Sequence, residues 1–168
     1  SIDSKNVFNF DNASHWFQKN VQNELCAIKE MIDNEQNSNA KDFLKIVLSS
    51  IIVKVSNQES DTRYAAIKKD IPKGKTIKVF MSAFDNYIEK IEKFSLYINK
   101  SVKAKIYNKD SRNLDFIKEK SIDLIITSPP YANTYDYYLY HKFRKLVLGI
   151  DVGFAQTYEI GSRREYSS

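Results

Sequence analysis

Four consecutive residues in the last third of the chain, Ser128-Pro129-Pro130-Tyr131, have side chains and backbone suited to holding a ligand. Two of the three prolines of the chain lie here. Each proline fixes its φ at about −65° and removes a backbone N–H, and each pushes the preceding residue into extended geometry. The sequence therefore predicts a stiff loop that presents free carbonyls, a serine hydroxyl and an aromatic ring.

The element expected to position this loop is a buried strand. Residues 123–127, Asp-Leu-Ile-Ile-Thr, form a continuous apolar run, which is typical of a strand inside a parallel sheet. Residues 102–107 alternate like a second strand, and residues 137–148 have the pattern of a helix. This order predicts a partial doubly wound α/β domain over residues 101–168, and such sheets bind ligands at the carboxyl ends of their strands.

The first hundred residues have a different pattern, which predicts a separate helical region over residues 1–100. Apolar residues recur at helical spacing over 14–34, 40–55 and 79–99. Residues 56–78 are polar and contain a proline and a glycine, so they predict a long loop, and loops of that length are often functional or disordered.

The charge distribution favours an anionic partner. The chain has a net charge of +5, and residues 54–78 alone contain seven lysines and arginines against three carboxylates. A local basic surface of this kind favours nucleic acid, although a solvated lysine-rich loop has the same composition.

Composition also narrows the class of protein. The single cysteine, Cys26, excludes an internal disulfide and favours a reducing, cytoplasmic compartment. No apolar run reaches about 18 residues, so we expect no membrane span. No His, Cys and Asp cluster has the spacing of metal ligands, so we expect no metal.

The segment Asp123–Tyr131 resembles the catalytic motif of S-adenosylmethionine-dependent amino-DNA methyltransferases. These enzymes carry (Asp/Asn/Ser)-Pro-Pro-(Tyr/Phe/Trp) at the end of a core strand. The flanks 110–114 and 138–149 are also similar. Weaker similarity to bacterial DNA methylases extends to residues 15–17, 49–52, 56–58 and 61–64. The resemblance implies a Rossmann-like methyltransferase core and methyl transfer to the exocyclic amine of a base in double-stranded DNA, within a restriction–modification or orphan system.

The same resemblance implies roles for the loop. Ser128 Oγ and the Pro129 carbonyl would accept hydrogen bonds from the amine and draw its nitrogen toward tetrahedral geometry, while Pro130 would keep the loop stiff before the reaction. A base inside a duplex must be flipped out to be reached, and Tyr131 would stack on it. Serine in the first position favours N4 of cytosine, with N6 of adenine a close second.

Further residues are candidates for the methyl donor and for DNA. Asp110 and Thr127 lie where the family binds S-adenosylmethionine, although an aspartate in a turn has the same sequence signal as Asp110. Arg63-Tyr64 and Arg163-Arg164 lie in polar segments and suit phosphate or base contacts. Each arginine has the alternative of a salt bridge.

One part of the family pattern is missing. The family needs a glycine-rich cofactor loop, and none of the four glycines in this chain has that spacing. We therefore expect a fragment or split subunit that completes its fold with the rest of the enzyme or with a second chain and binds the methyl donor poorly alone. The alternatives are a non-catalytic DNA-binding or assembly subunit and, less favoured by Ser128, methylation of RNA or of a protein amide.

Overall fold

The computed structural model describes residues 8–99 and 101–162. It consists of seven helices and one two-stranded antiparallel sheet within those residues. In chain order the elements are α1 (Ala13–Trp16), α2 (Lys19–Asp33), α3 (Ser38–Val55), β1 (Gln58–Ser60), β2 (Arg63–Ala66), α4 (Lys75–Ser95), α5 (Tyr137–Tyr140), α6 (Lys142–Leu148) and α7 (Val152–Tyr158).

The core lies where α2, α3, α4 and α6 pack together. α3 is its central element, since Val47, Leu48, Ile51 and Ile52 are buried on a wide apolar face. The helices predicted over 14–34 and 40–55 are confirmed, except that the first is divided into α1 and α2. Their apolar spacing is the reason that the prediction succeeds: burial of this stripe stabilises each helix.

α4 begins four residues before its predicted start because of a cap that the local sequence does not show. Glu24 of α2 accepts hydrogen bonds from the backbone N–H groups of Gly74, at 2.6 Å, and Thr76, at 3.0 Å. The carboxylate satisfies donors that the first turn of a helix leaves unpaired and opposes the positive end of the helix dipole. Gly74 has a φ of 82°, a conformation that glycine adopts without steric cost.

The predicted loop over 56–78 contains a β-hairpin instead of being irregular throughout. β1 and β2 pair with Ser60 opposite Arg63, which leaves a two-residue turn. After β2 the chain packs back on α3: Lys69 Nζ donates to the carbonyls of Val53 at 2.7 Å and Gln58 at 2.6 Å, and Ile71 is buried. Partial burial lowers the pKa of Lys69.

The two strands predicted over 102–107 and 123–127 are wrong for the chain as described, since neither segment is a strand. Their apolar residues are exposed, with Ile106 at 95% and Ile126 at 88%. A strand needs neighbours to pair its backbone N–H and C=O groups, and no described residues supply one here. The parallel Rossmann-like sheet is therefore absent from the described residues.

The helix predicted over 137–148 is present but interrupted. His141 separates α5 from α6. Phe143 and Val147 of α6 are buried in the helical core, so α6 joins the C-terminal segment to the first half of the chain.

Candidate active-site loop

The Ser128–Tyr131 loop lines a cavity of about 420 Å³. Ser128, Pro129 and Pro130 form one wall, and α5 and the end of α7 form the other through Tyr137, Tyr158, Glu159 and Ile160. All four loop residues are exposed, with Tyr131 at 63%. The volume lies within the range of small-molecule sites, which is roughly 300–1,000 Å³.

The C-terminal segment holds the far end of the loop. The Gly161 carbonyl accepts a hydrogen bond from Asn133 N at 3.0 Å, and Tyr131 O accepts one from Thr134 N at 3.2 Å. Gly161 has a φ of 77°, and a Cβ there would lie 3.4 Å from Ala132 Cα. Any other residue at Gly161 would be strained by its φ, so this glycine fixes the approach of the segment to the loop.

Glu159 organises the opposite wall of the cavity. Its carboxylate oxygens accept hydrogen bonds from the backbone N–H groups of Tyr137 and, at 3.1 Å, Tyr138, at the start of α5. Sequence reasoning missed this residue because it caps a helix about twenty positions earlier in the chain, where no local pattern points to it.

An aromatic cluster continues from the loop into α5. The Tyr135 ring centroid lies 6.3 Å from that of Tyr131, 5.9 Å from that of Tyr137 and 6.0 Å from that of Tyr140. These separations are typical of aromatic pairs that stabilise one another. The loop tyrosine is therefore connected through Tyr135 to the helix that forms the other wall.

The two candidate cofactor residues do not form a pocket for S-adenosylmethionine by themselves. Both carboxylate oxygens of Asp110 are engaged by Arg112, with Nη2 at 2.7 Å and Nε at 3.0 Å and 3.2 Å. These hydrogen bonds lower the pKa of Asp110 to about 2. Thr127, like Asp110, is exposed on the segment that forms no strand. The described residues thus do not fit the methyl donor without further structure.

Of the candidate DNA contacts, Arg63 and Tyr64 lie in β2. Arg63 forms an exposed ion pair with Glu59 at 3.0 Å. The Tyr64 ring stacks against Phe143, with centroids 5.6 Å apart, and lies 4.8 Å from that of Trp16. Burial is the main cause that raises the pKa of Tyr64. This packing gives Tyr64 a structural role that the sequence did not reveal, while Arg163 and Arg164 lie outside the described residues.

Arg144 of α6 contacts three of the segments that are similar to DNA methylases, residues 49–52, 61–64 and 138–149. It donates to the Ser49 carbonyl at 3.1 Å, to Asp61 of the hairpin turn and to His141 Nδ1 at 3.0 Å. Arginine can only donate, so Nδ1 of His141 accepts. Partial burial, followed by the charges of Arg144 and Lys145, lowers the pKa of His141, which favours the neutral ring.

Asn57 makes the second such connection. Its backbone N–H donates to the Trp16 carbonyl at 2.7 Å, and its side-chain amide donates to the His15 carbonyl at 2.7 Å. The segments with weaker family similarity are therefore adjacent in the fold, as a packed junction between α1, α3, the hairpin and α6.

Residues 8–99 and 101–162 contain no group of three His, Cys, Asp or Glu residues placed to hold a metal ion. None of the helices there is both long and apolar enough to cross a membrane.

Comparison with known proteins finds similarity to a methyltransferase. The chain is 26% identical over 164 residues to the Type II methyltransferase M.BsoBI of Geobacillus stearothermophilus, across 80% of this chain. The aligned part spans 32% of that relative, about a third of its length. No protein-family model matches the chain, and no solved structure matches it.

Proposed function

We propose that this chain contributes the base-positioning loop of a DNA amino-methyltransferase that uses S-adenosylmethionine. The observation that supports this most directly is the Ser128–Tyr131 loop, which lines a cavity in a chain similar to a Type II methyltransferase. The target is the exocyclic amine of a flipped base in duplex DNA, with N4 of cytosine favoured over N6 of adenine.

In this proposal the loop prepares the amine for methylation. The lone pair of a base amine is delocalised into the ring, so the amine is a poor nucleophile. Ser128 Oγ and the Pro129 carbonyl each accept a hydrogen bond from one of its two N–H groups. The prolines hold these acceptors in place before the reaction, which lowers the reorganisation needed. Tyr131, which is largely exposed, stacks on the flipped base and contributes roughly 1–3 kcal/mol.

S-adenosylmethionine supplies the methyl group when it is bound. Since Asp110 is paired with Arg112 and Thr127 is exposed, we assign the main donor site to structure beyond the described residues, in the same polypeptide or on a second subunit. Asp110 and Thr127 would then form one edge of that site.

A non-catalytic DNA-binding or assembly subunit is the alternative, and the pairing of Asp110 with Arg112 favours it. The two proposals differ in one measurable property. A catalytic chain loses methyl transfer when the loop is changed, whereas an assembly subunit retains it because the transferring residues lie on another chain.

The test is transfer of a tritiated methyl group to duplex DNA by the protein as its reading frame encodes it, with any partner subunit. Ser128→Ala should lower the rate by roughly 100-fold, as the loss of one preorganised hydrogen-bonding group does elsewhere. Ser121→Ala changes an exposed serine outside the loop and should leave the rate unchanged. Equal rates for wild type and Ser128→Ala, with unchanged circular dichroism, would contradict the catalytic role.

A further inference from the structure

A groove between α3 and α4 carries a concentrated positive charge. It has a volume of about 750 Å³, and four lysines line it: Lys54 from α3, and Lys75, Lys78 and Lys90 from α4. Two serines and an asparagine also line it, and no carboxylate does. The groove therefore presents ammonium groups together with neutral hydrogen-bond donors. Phosphate oxygens accept hydrogen bonds from both kinds of group.

The groove lysines are available to a ligand. All four are exposed, and within the described part of the chain none forms an ion pair. Lysines elsewhere on the helices do pair, as Lys93 does with Glu89. Lys90 lies 5.8 Å from the centre of the Tyr87 ring, which is compatible with a free ammonium.

An acidic group at the start of α4, Glu24, is bonded to the backbone and not to the groove lysines. The Glu24 carboxylate is largely buried and accepts hydrogen bonds from the N–H groups of Gly74 and Thr76. It thereby opposes the helix dipole of α4 rather than pairing with Lys75 or Lys78. The positive field of the groove is left uncompensated by a direct partner.

Two further cavities share lining residues with the groove, with each other and with the cavity of the Ser128–Tyr131 loop. A second cavity, of about 470 Å³, shares Ser50 and Tyr87 with the groove and extends to Ile150. A third, of about 400 Å³, begins at Ile150 and shares Tyr137, Tyr158 and Glu159 with the cavity of the loop. Each of the four cavities thus shares lining residues with the next.

The acidic residues that line these cavities are already engaged. Asp42 pairs with Lys45 at 3.0 Å, Asp151 accepts the Gly153 N–H at 2.8 Å, and Glu159 accepts two N–H groups of α5. Their charges still repel an anion, but their hydrogen-bonding capacity is partly used. Among the described residues, the four groove lysines are the largest group of lysines without an ion pair that lines any of these cavities.

We propose that this groove binds the phosphodiester backbone of duplex DNA beside the base that the Ser128–Tyr131 loop takes. The proposal rests on the proposed function for its choice of DNA. Lysine ammonium groups with serine and asparagine donors contact phosphates without reading sequence. Tyr87 is the one aromatic residue in the lining, so the groove has no stacking platform for successive bases of a single strand.

The test is fluorescence anisotropy of the 168-residue chain with a fluorescein-labelled duplex of mixed sequence, at salt concentrations from about 50 to 200 mM. No methyl donor is added, so the result does not depend on methyl transfer. Wild type is compared with the triple variant Lys54→Gln/Lys78→Gln/Lys90→Gln. The matched control, Lys19→Gln/Lys103→Gln/Lys118→Gln, removes the same charge from three exposed lysines elsewhere.

We expect the groove variant to bind the duplex at least about tenfold more weakly at about 0.1 M salt, with the slope of log K against log salt reduced by about 0.9 for each phosphate that the protein no longer neutralises. The control variant should retain most of the affinity and slope of wild type. Equal reductions in both variants, no binding by wild type, or stronger groove-dependent binding of a single strand would overturn the proposal. If the groove variant binds DNA as wild type does while Ser128→Ala still slows methyl transfer, only the groove proposal is refuted. If the groove variant binds DNA more weakly while Ser128→Ala leaves methyl transfer unchanged, only the catalytic role is refuted.

Discussion

The helical half of the molecule and the segment over residues 101–134 differ in how far their residues are buried. In the helical half, α2, α3 and α4 bury their apolar faces against one another and against α6. In residues 101–134 every residue is exposed except the half-buried Phe116 and Ile117. Apart from the bond from Asn133 N to the Gly161 carbonyl, the described backbone–backbone hydrogen bonds of this segment are turns. Both regions have apolar patterns in sequence, but only the first finds partners in the described chain.

The difference shows how helices and strands depend on their surroundings. A helix pairs its backbone groups internally and needs a partner only for its apolar face. A strand needs neighbours both to pair its backbone groups and to cover its apolar side chains. Residues 123–127 therefore have the pattern of a strand, but the described residues supply no strand to pair with it. α3, in contrast, pairs its backbone groups within the helix.

The largest expected contrast is in amide hydrogen exchange. Amides in the second half of α3 should be protected by a factor on the order of 10³ or more, since their opening requires disruption of the core, whereas amides over residues 123–127 should exchange nearly freely. Exchange of the isolated chain followed by mass spectrometry measures both. Strong protection over 123–127 would show a paired strand and would contradict the contrast.

A matched pair of substitutions probes the same contrast energetically. Ile51 is 0% exposed and Ile125 is 76% exposed. Ile51→Ala should lower the free energy of unfolding by about 2–5 kcal/mol because it leaves a cavity, and Ile125→Ala by less than about 0.5 kcal/mol. Urea unfolding followed by circular dichroism measures both, and similar decreases for the two variants would show that Ile125 is also packed.

A smaller effect is expected for the link between α2 and α4. Glu24→Ala should cost about 1–2 kcal/mol of unfolding free energy, because it leaves the Gly74 and Thr76 N–H groups without their cap. Glu89→Ala removes only an exposed ion pair and should cost about 0.5 kcal/mol or less. Equal costs in urea unfolding would argue against the capping role.

The smallest expected effect is a titration in the exposed segment. The hydrogen bonds from Arg112 hold the pKa of Asp110 at about 2. A depressed carboxyl pKa stabilises the turn above the ordinary value of about 4, and this contribution is lost as the pH falls toward about 2. Carboxyl NMR titration should show the low midpoint, and Arg112→Gln should return it toward the ordinary value. An unchanged midpoint in that variant would disprove the pairing.

The helices of the first half could be predicted because their signal is local. Phe17, Val21, Leu25, Ile28 and Ile32 recur at helical spacing and are all buried. The ends of the helices were harder to predict, because α4 starts at a cap supplied by Glu24, fifty positions earlier in the chain. The hairpin was missed because its strands have only three and four residues, without clear alternation.

The candidate site could be predicted in part. The Ser128–Tyr131 motif predicted a ligand-holding loop, and that loop lines a cavity. Glu159 and Gly161 shape the same cavity, but no local sequence pattern predicts their roles. Tyr64, which stays a predicted contact for DNA, also packs its ring against Trp16 and Phe143. Contacts between residues far apart in sequence decide such roles, and a single sequence does not display them.

The central claim is that the Ser128–Tyr131 loop positions a base amine for methylation. The most direct measurement is mass spectrometry of nucleosides released from duplex DNA after incubation with S-adenosylmethionine and the protein as its reading frame encodes it, with any partner subunit. We expect the added methyl group on an exocyclic amine, as N4-methylcytosine or N6-methyladenine, and its formation at a rate roughly 100-fold lower in the Ser128→Ala variant. A methyl group on a ring carbon, or no methylated nucleoside at all, would contradict the claim.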